Sequence, residues 1–148
     1  MLAFDQPIAA MTPARHRHTV TVLVNQERNR RGLAALLASR SLLASARRWA
    51  LVQTHISRFG HGNFDRRAFA FPFIRQVAPG SQTVGENLAW GMDVTSTPRR
   101  IVQAWMRSAP HRATILGNWR HGAVWSTADA PMPGLQTSGV TVVQHFGR

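Results

Sequence analysis

The chain has 148 residues, 44% of them hydrophobic, no cysteine, and eighteen basic against six acidic residues, for a net charge of +12. A chain of this length forms one domain and buries roughly 70% of its unfolded surface, so it needs no disulfide to fold. The lack of cysteine excludes disulfides, cysteine-bound zinc and thiol catalysis. No apolar run approaches the ~20 residues of a membrane span, and no export signal is visible at the N-terminus.

All eighteen basic side chains are arginine. The use of arginine without lysine is typical of a GC-rich genome, and this interpretation is favoured because the arginines are scattered and not gathered into one block. A cationic surface also attracts polyanions such as anionic lipid head groups, nucleic acid and cell-wall polymers. Both interpretations stay open, and no sequence-specific binding of nucleic acid is expected.

The first predicted element is a helix over about residues 13 to 31. Thr12 and Pro13 fit the N-cap and the first helical position, and Gly32 fits the residue just past the helix end. Residues 18–24 also alternate as a strand does. We favour a helix because a 3.6-residue period fits Val20, Leu23 and Val24.

A second helix is predicted over about residues 41 to 57, with an apolar face broad enough to pack against a sheet or another helix. Residues 64–77 are aromatic and arginine-rich and are interrupted by Pro72. We expect a packed loop with one helical turn there, followed by a turn at 78–81.

A third helix is predicted to begin at Thr97 and Pro98, an N-cap followed by the first helical residue. Pro110 ends this helix and opens a short one that runs to Leu116.

In the last part of the chain the spacing of apolar residues changes from a helical to a strand period. Residues 122–127 and 138–146 are β-rich and are separated by a Pro/Gly loop at 129–136, which predicts a hairpin with a long connection. Helices first and a hairpin last indicate an α+β domain rather than alternating βαβ units. We interpret residues 1–12 as an N-terminal extension and residues 13–148 as a single domain.

Two polar motifs interrupt otherwise apolar sequence: Gly-Glu-Asn-Leu-Ala at 85–89 and Ser-Ala-Pro-His-Arg-Ala-Thr-Ile-Leu at 108–116. Glu86 follows a glycine and precedes a hydrophobic run, where a carboxylate is costly unless it is paired or hydrogen-bonded. We therefore expect Glu86 to have a partner, with His61 and His111 as the best candidates. The alternative is that Glu86 accepts backbone N–H groups at a strand edge.

With His61 after Arg-Phe-Gly, these motifs resemble the CAP superfamily of cysteine-rich secretory, antigen 5 and pathogenesis-related type 1 proteins, in its cysteine-free bacterial branch. The resemblance runs from about Val20 to Phe146. It implies a three-layer α-β-α sandwich in which a central antiparallel sheet lies between helices. It also implies an extracellular or cell-envelope location.

In this family a central groove gathers two histidines and two glutamates. The resemblance places the first histidine at His61 and the first glutamate at Glu86. Ala123 stands where the second histidine is expected, and no second glutamate lies between positions 99 and 109. We expect a ligand-binding groove formed by His61, Glu86, His111, Asn87 and Trp90, with Trp90 at its rim.

Arg99 and Arg100 occupy the first turn of the third helix, where many bacterial members of this family carry acidic residues. Cations at this end oppose the helix dipole unless an anion lies nearby. Both arginines are therefore candidates for anion binding, and the alternative is that both are simply solvated.

Other site chemistry is not indicated. The sequence has no short-spaced ligand pair such as His-Glu-x-x-His, no glycine-rich phosphate loop and no Gly-x-Ser-x-Gly motif. We expect no cofactor and no metal; His61 and His111 would be the ligands if a divalent ion did bind.

Three functions stay open. The one we favour is a secreted, monomeric, non-enzymatic module whose groove binds a small hydrophobic or cell-envelope ligand, as family members that bind sterols or fatty acids suggest. The second is a hydrolase that acts on peptide or cell-wall material through Glu86 and His61. The third is an adhesive surface protein that binds polyanions or anionic lipid surfaces through its charge.

Overall fold

The computed structural model describes residues 3–70, 83–135 and 139–148. The helices are α1 (Pro13–Asn29), α2 (Arg40–His55), α3 (Phe64–Ala70), α4 (Pro98–Arg107) and α5 (Ala109–Ile115). The strands are β1 (Leu37–Ala38), β2 (Val84–Met92), β3 (His121–Thr127) and β4 (Gly139–Gly147). The predicted turn at 78–81 lies outside the described residues. No described helix has the length and apolarity that a membrane span requires.

The predicted starts of α1 and α4 are confirmed by their caps. The Thr12 side chain accepts the Arg15 N–H at 3.1 Å, and the Thr97 side chain accepts the Arg100 N–H at 3.2 Å. α1 ends at Asn29, two residues before its predicted end; Gly32, three residues further on, has a φ of 72°, a conformation that favours glycine. α2 begins one residue and ends two residues earlier than predicted, and α3 has about two turns instead of one.

The four strands form one sheet in the order β1-β3-β4-β2. β4 pairs antiparallel with both β2 and β3, so the predicted hairpin is confirmed. The sheet is not wholly antiparallel, however, because the two-residue β1 pairs parallel with β3. β1 was not predicted, since two residues carry too little periodicity to be recognised.

Helices cover both faces of the sheet. On one face a hydrophobic cluster joins α1, α4 and α5 to the strands through Val20, Val24, Ile101, Trp105, Ile115, Val142 and Phe146. On the other face α2 packs on β2 and β4 through Ala46, Ala50, Leu88 and Val143. This is the α-β-α sandwich that the resemblance implies, and cover from both sides explains why every residue of β4 is buried.

The described residues before position 13 pack onto the helices and the sheet. Ile8 is buried in the core cluster, and its N–H donates to the Ser96 hydroxyl at 3.0 Å. Phe4 packs against the same cluster. The described residues before position 13 are therefore part of the folded unit.

Arg28 of α1 fixes the end of the helix that carries His111. Its buried guanidinium donates to the carbonyl of Ile115 at 2.8 Å and to that of Gly117 at 2.9 Å. These carbonyls lie at the end of α5, where a helix leaves acceptors without partners. The bonds hold α5 against α1.

Candidate functional site

His61 lies in the connection between α2 and α3. Gly60 and Gly62 on either side of it have φ values of 149° and 59°, which favour glycine. Trp49 packs closely here: its Nε1–H donates to the Gly60 carbonyl at 3.0 Å, and a Cβ on Gly62 would come within 3.0 Å of its ring. The two glycines let the chain turn tightly over Trp49 and direct His61 towards the edge of the sheet.

Glu86 lies on the edge strand β2, and its side chain is only 1% exposed. Its Oε1 lies 2.7 Å from Nδ1 of His61. Arg67 donates to Oε1 at 2.7 Å and to Oε2 at 2.9 Å. Nε2 of His145 lies 2.7 Å from Oε2. The expected pairing with His61 is therefore confirmed, and side chains rather than backbone N–H groups compensate the buried carboxylate.

His145 is a site residue that the sequence analysis missed. In the sheet it lies opposite Glu86 on one side and opposite Ala123 on the other. Ala123 stands where the resemblance expects a second histidine, and the imidazole on this face comes from the neighbouring strand. A histidine inside a strand buried on both faces needs a polar partner, and that signal was present in the sequence.

The buried groups have defined charges. Burial lowers the pKa of His145 in spite of the opposing hydrogen bond that it donates to Glu86, so its imidazole is neutral at pH 7. Burial works against ionisation of Glu86, but the hydrogen bonds from His145 and Arg67 outweigh it and lower the pKa of the carboxyl below its ordinary 4.5. Glu86 is therefore an anion that accepts the Nε2–H of a neutral His145.

A neutral His145 with its proton on Nε2 needs a donor at Nδ1. Oγ of Ser45, on α2, lies 2.6 Å from that nitrogen and 3.0 Å from the Leu42 carbonyl. Its single proton can serve only one of them, and the tautomer of His145 directs it to Nδ1. A buried chain of hydrogen bonds thus runs from Ser45 through His145 to Glu86.

Arg67 of α3 covers the Glu86 carboxylate from the outer side. The sequence analysis did not predict this residue as part of the site. Its Nε and Nη2 donate to the His61 carbonyl at 3.1 Å and 2.6 Å. Its guanidinium carbon lies 3.7 Å from the centre of the Trp49 ring, a cation–π arrangement. Arg67 thereby neutralises Glu86 and holds the His61 backbone at once.

This geometry leaves one nitrogen of His61 available. A carboxylate only accepts hydrogen bonds, so Nδ1 of His61 carries the proton that Glu86 receives. Nε2 then bears a lone pair in the neutral ring, and no described residue bonds to it; the side chain is 52% exposed. Such a nitrogen can accept a ligand hydrogen bond, take a proton or coordinate a metal.

His111 lies on α5, and its Nδ1 is 2.9 Å from Oγ of Ser108. Ser108 is the N-cap residue of α5 but makes no side-chain capping bond, because its hydroxyl is turned to His111. Burial lowers the pKa of His111, and the nearby His61 lowers it further. No hydrogen bond joins His111 to Glu86, so its predicted pairing with that carboxylate is wrong.

Comparison with known proteins agrees with this architecture. The chain is 31% identical over 116 residues to the uncharacterized protein YkwD of Bacillus subtilis. The matched region covers 72% of this chain and 44% of YkwD. No protein-family model matches the chain.

Solved structures match over nearly the whole chain. An outer surface protein of Borrelia burgdorferi has a TM-score of 0.71 at 17% identity, covering 93% of this chain and 96% of that one. An extracellular protein of Bacillus anthracis that contains an SCP domain has a TM-score of 0.66 at 20% identity, covering 93% and 44%. A cysteine-rich secretory protein of Staphylococcus aureus has a TM-score of 0.65 at 13% identity, covering 92% and 39%.

The chain has the CAP fold. It spans less than half the length of YkwD and of the Bacillus anthracis and Staphylococcus aureus proteins, and almost the whole length of the Borrelia burgdorferi protein.

Asn87 and Trp90 lie away from His61. Asn87 faces away from Glu86, because successive strand residues alternate between faces, and its amide donates to the His111 carbonyl at 3.2 Å. Trp90 shares the face of Glu86 but lies four residues, about 13 Å, further along the strand. Asn87 therefore positions the His111 backbone, and Trp90 lies apart from the imidazole cluster.

Arg99 forms an ion pair with Asp5 of the same chain. Its Nε and Nη2 donate to the two carboxylate oxygens of Asp5 at 2.6 Å and 3.1 Å. The hydrogen bond from Arg99 lowers the pKa of Asp5, and the same bond raises the pKa of Arg99. An external anion would have to displace Asp5 from Arg99. Anion binding by Arg100 stays a prediction.

An open hollow of about 450 Å³ lies beside the two glycines that flank His61. Its lining is aromatic, apolar and cationic: Trp49, Ile56, Arg58, Phe59, Gly60 and Gly62. A larger, shallow concavity of about 1020 Å³ runs along the outer face of α2 and includes none of the predicted site residues. The smaller hollow is lined by Gly60 and Gly62, the two residues that flank His61 in the chain.

The described part of this site is poorly suited to a metal ion. Within the described ranges no group of three histidine, aspartate or glutamate residues is arranged to hold one. Glu86 is already bonded to His61, Arg67 and His145, so its oxygens are not available as a third ligand.

Proposed function

We propose that this CAP domain is an extracellular or cell-envelope binding module in which His61 and the adjoining hollow hold part of a small hydrophobic or envelope ligand. The observation that supports binding rather than turnover is the state of Glu86. Its carboxylate is buried, has a lowered pKa and is bonded by three side chains. A carboxylate in that state orients His61 and does not exchange protons with a ligand.

The lining of the hollow indicates the kind of ligand. Ile56 and Phe59 are exposed apolar side chains, and Arg58 adds a cation at the same opening. His61 supplies Nε2, which accepts a hydrogen bond from a hydroxyl head group or, after taking up a proton, donates one to an anionic head group. An amphiphile with an apolar chain and a small polar or anionic head matches these groups.

The location outside the cell is part of the proposal. Its support is the naming of the structural neighbours as outer surface, extracellular and secretory proteins.

Titration with a dansyl-labelled fatty acid tests the binding role. We expect saturable binding by the wild type and roughly tenfold weaker binding by His61→Gln, the loss of one hydrogen bond to a charged group. His18→Gln is the matched control, because His18 is exposed on α1 and away from the hollow. Binding that is unaffected by His61→Gln, or lost equally in both variants, would overturn the assignment of this site.

A hydrolase is the second candidate, and the His61–Glu86 pair favours it. A carboxylate that orients an imidazole leaves Nε2 able to activate a water molecule. Ser45 is buried and cannot reach a substrate, so water would be the attacking group. Release of soluble fragments from dye-labelled peptidoglycan, abolished by His61→Gln, would establish this activity in place of simple binding.

A further inference from the structure

The C-terminal end of α2 carries an unusual share of exposed apolar surface. Of the seven large hydrophobic side chains that are exposed among the described residues, three lie between positions 51 and 59: Leu51 at 43%, Ile56 at 53% and Phe59 at 38%. We call these three residues the α2-end patch. Its members are contiguous, because Ile56 lines both the concavity that contains Leu51 and the hollow that contains Phe59.

Cationic side chains border this patch. Arg47 and Arg48 line the concavity beside Leu51, and Arg58 lines the hollow beside Phe59. The only acidic residue in the described lining of either opening is Asp129. The borders of the patch are therefore cationic on both sides, in a chain whose net charge is +12.

Apolar side chains with an arginine border suit one kind of partner in particular. At a bilayer surface the apolar groups enter the boundary between head groups and acyl chains, and the cations meet lipid phosphates. Arginine forms bidentate hydrogen bonds with phosphate, and its aliphatic stem covers apolar surface. A soluble polyanion would use the arginines but would leave the apolar patch in water.

We propose that the α2-end patch binds the surface of a bilayer that contains anionic phospholipid. The association is peripheral, through side chains on α2 and the connection that follows it. The proposal shares Ile56, Arg58 and Phe59 with the lining of the hollow, but it does not use His61. If both hold, the hollow beside His61 opens towards the lipid.

Co-sedimentation with vesicles tests the patch. At an ionic strength of about 0.15 M, where the screening length is about 8 Å, the wild type should bind phosphatidylglycerol vesicles and bind phosphatidylcholine vesicles much less. Ile56→Ser/Phe59→Ser should weaken the partition coefficient roughly tenfold, because both apolar side chains are removed from the lipid. Leu37→Ser/Val94→Ser is the matched control, since both residues are exposed and lie outside the patch; it should bind as the wild type does.

Charge is tested separately. Arg47→Gln/Arg58→Gln should weaken partitioning on the order of tenfold, and Arg15→Gln/Arg107→Gln, with the same charge change at exposed sites elsewhere, should have a smaller effect. Equal losses from the two pairs would show diffuse attraction, and indifference to the serine variants would show binding by charge alone. Either result overturns the proposal. His61→Gln should leave vesicle binding unchanged, so a failure of the fatty-acid experiment is distinguishable from a failure here.

Discussion

The hydrogen bonds around Glu86 predict how the domain responds when that charge is removed. Glu86→Gln keeps the size of the side chain but leaves the guanidinium of Arg67, 20% exposed, without its carboxylate. Removing one partner of a buried ion pair typically costs about 3–5 kcal/mol. The partial exposure of Arg67 puts the expected loss of unfolding free energy near the lower end, about 3 kcal/mol. In a domain of this size that corresponds to a melting temperature lower by roughly 10 °C.

Urea denaturation, followed by tryptophan fluorescence, measures this loss in a double-mutant cycle of Glu86→Gln and Arg67→Gln. We expect a coupling energy of about 1.5–3 kcal/mol, the range for hydrogen bonds to charged groups. Glu27→Gln is the control: Glu27 pairs with Arg30 and Arg31 on the surface of α1, and such pairs contribute about 0–1 kcal/mol. If Glu86→Gln lowers the unfolding free energy no more than Glu27→Gln does, the buried hydrogen bonds of Glu86 do not stabilise the domain and the reasoning is refuted.

Two further predictions concern protons and metal. Burial lowers the pKa values of His16 and His145 from 6.5, so the unfolded chain takes up their protons first as pH falls. Protonation of each histidine in the unfolded chain should reduce the unfolding free energy by up to about 1.4 kcal/mol per pH unit below about pH 6.5, until the pKa of the folded state is reached. Urea denaturation that gives the same stability at neutral and mildly acidic pH would contradict this. Zinc should raise the melting temperature little, because His61 and His111 lack a third ligand; a large rise that saturates at micromolar metal and disappears in His61→Ala would contradict this.

Local patterns in the sequence determined most of the secondary structure. The Thr-Pro pairs at 12–13 and 97–98 predict the starts of α1 and α4, because capping depends only on residues within one turn. The change from helical to strand period predicts the hairpin of β3 and β4 in the same way. The sequence also determined that Glu86 needs a partner, since the cost of burying a carboxylate does not depend on which fold buries it.

The tertiary structure alone decided what those partners are. His145 lies 59 residues from Glu86 in the chain and meets it because β4 runs beside β2 in one particular register. Arg99 and its partner Asp5 are 94 residues apart. Their pairing depends on residues 3–5 packing against α4. No local period encodes such contacts: the register of paired strands and the docking of distant segments follow from how the whole core packs, and a shift of one residue in β4 would turn His145 to the opposite face of the sheet.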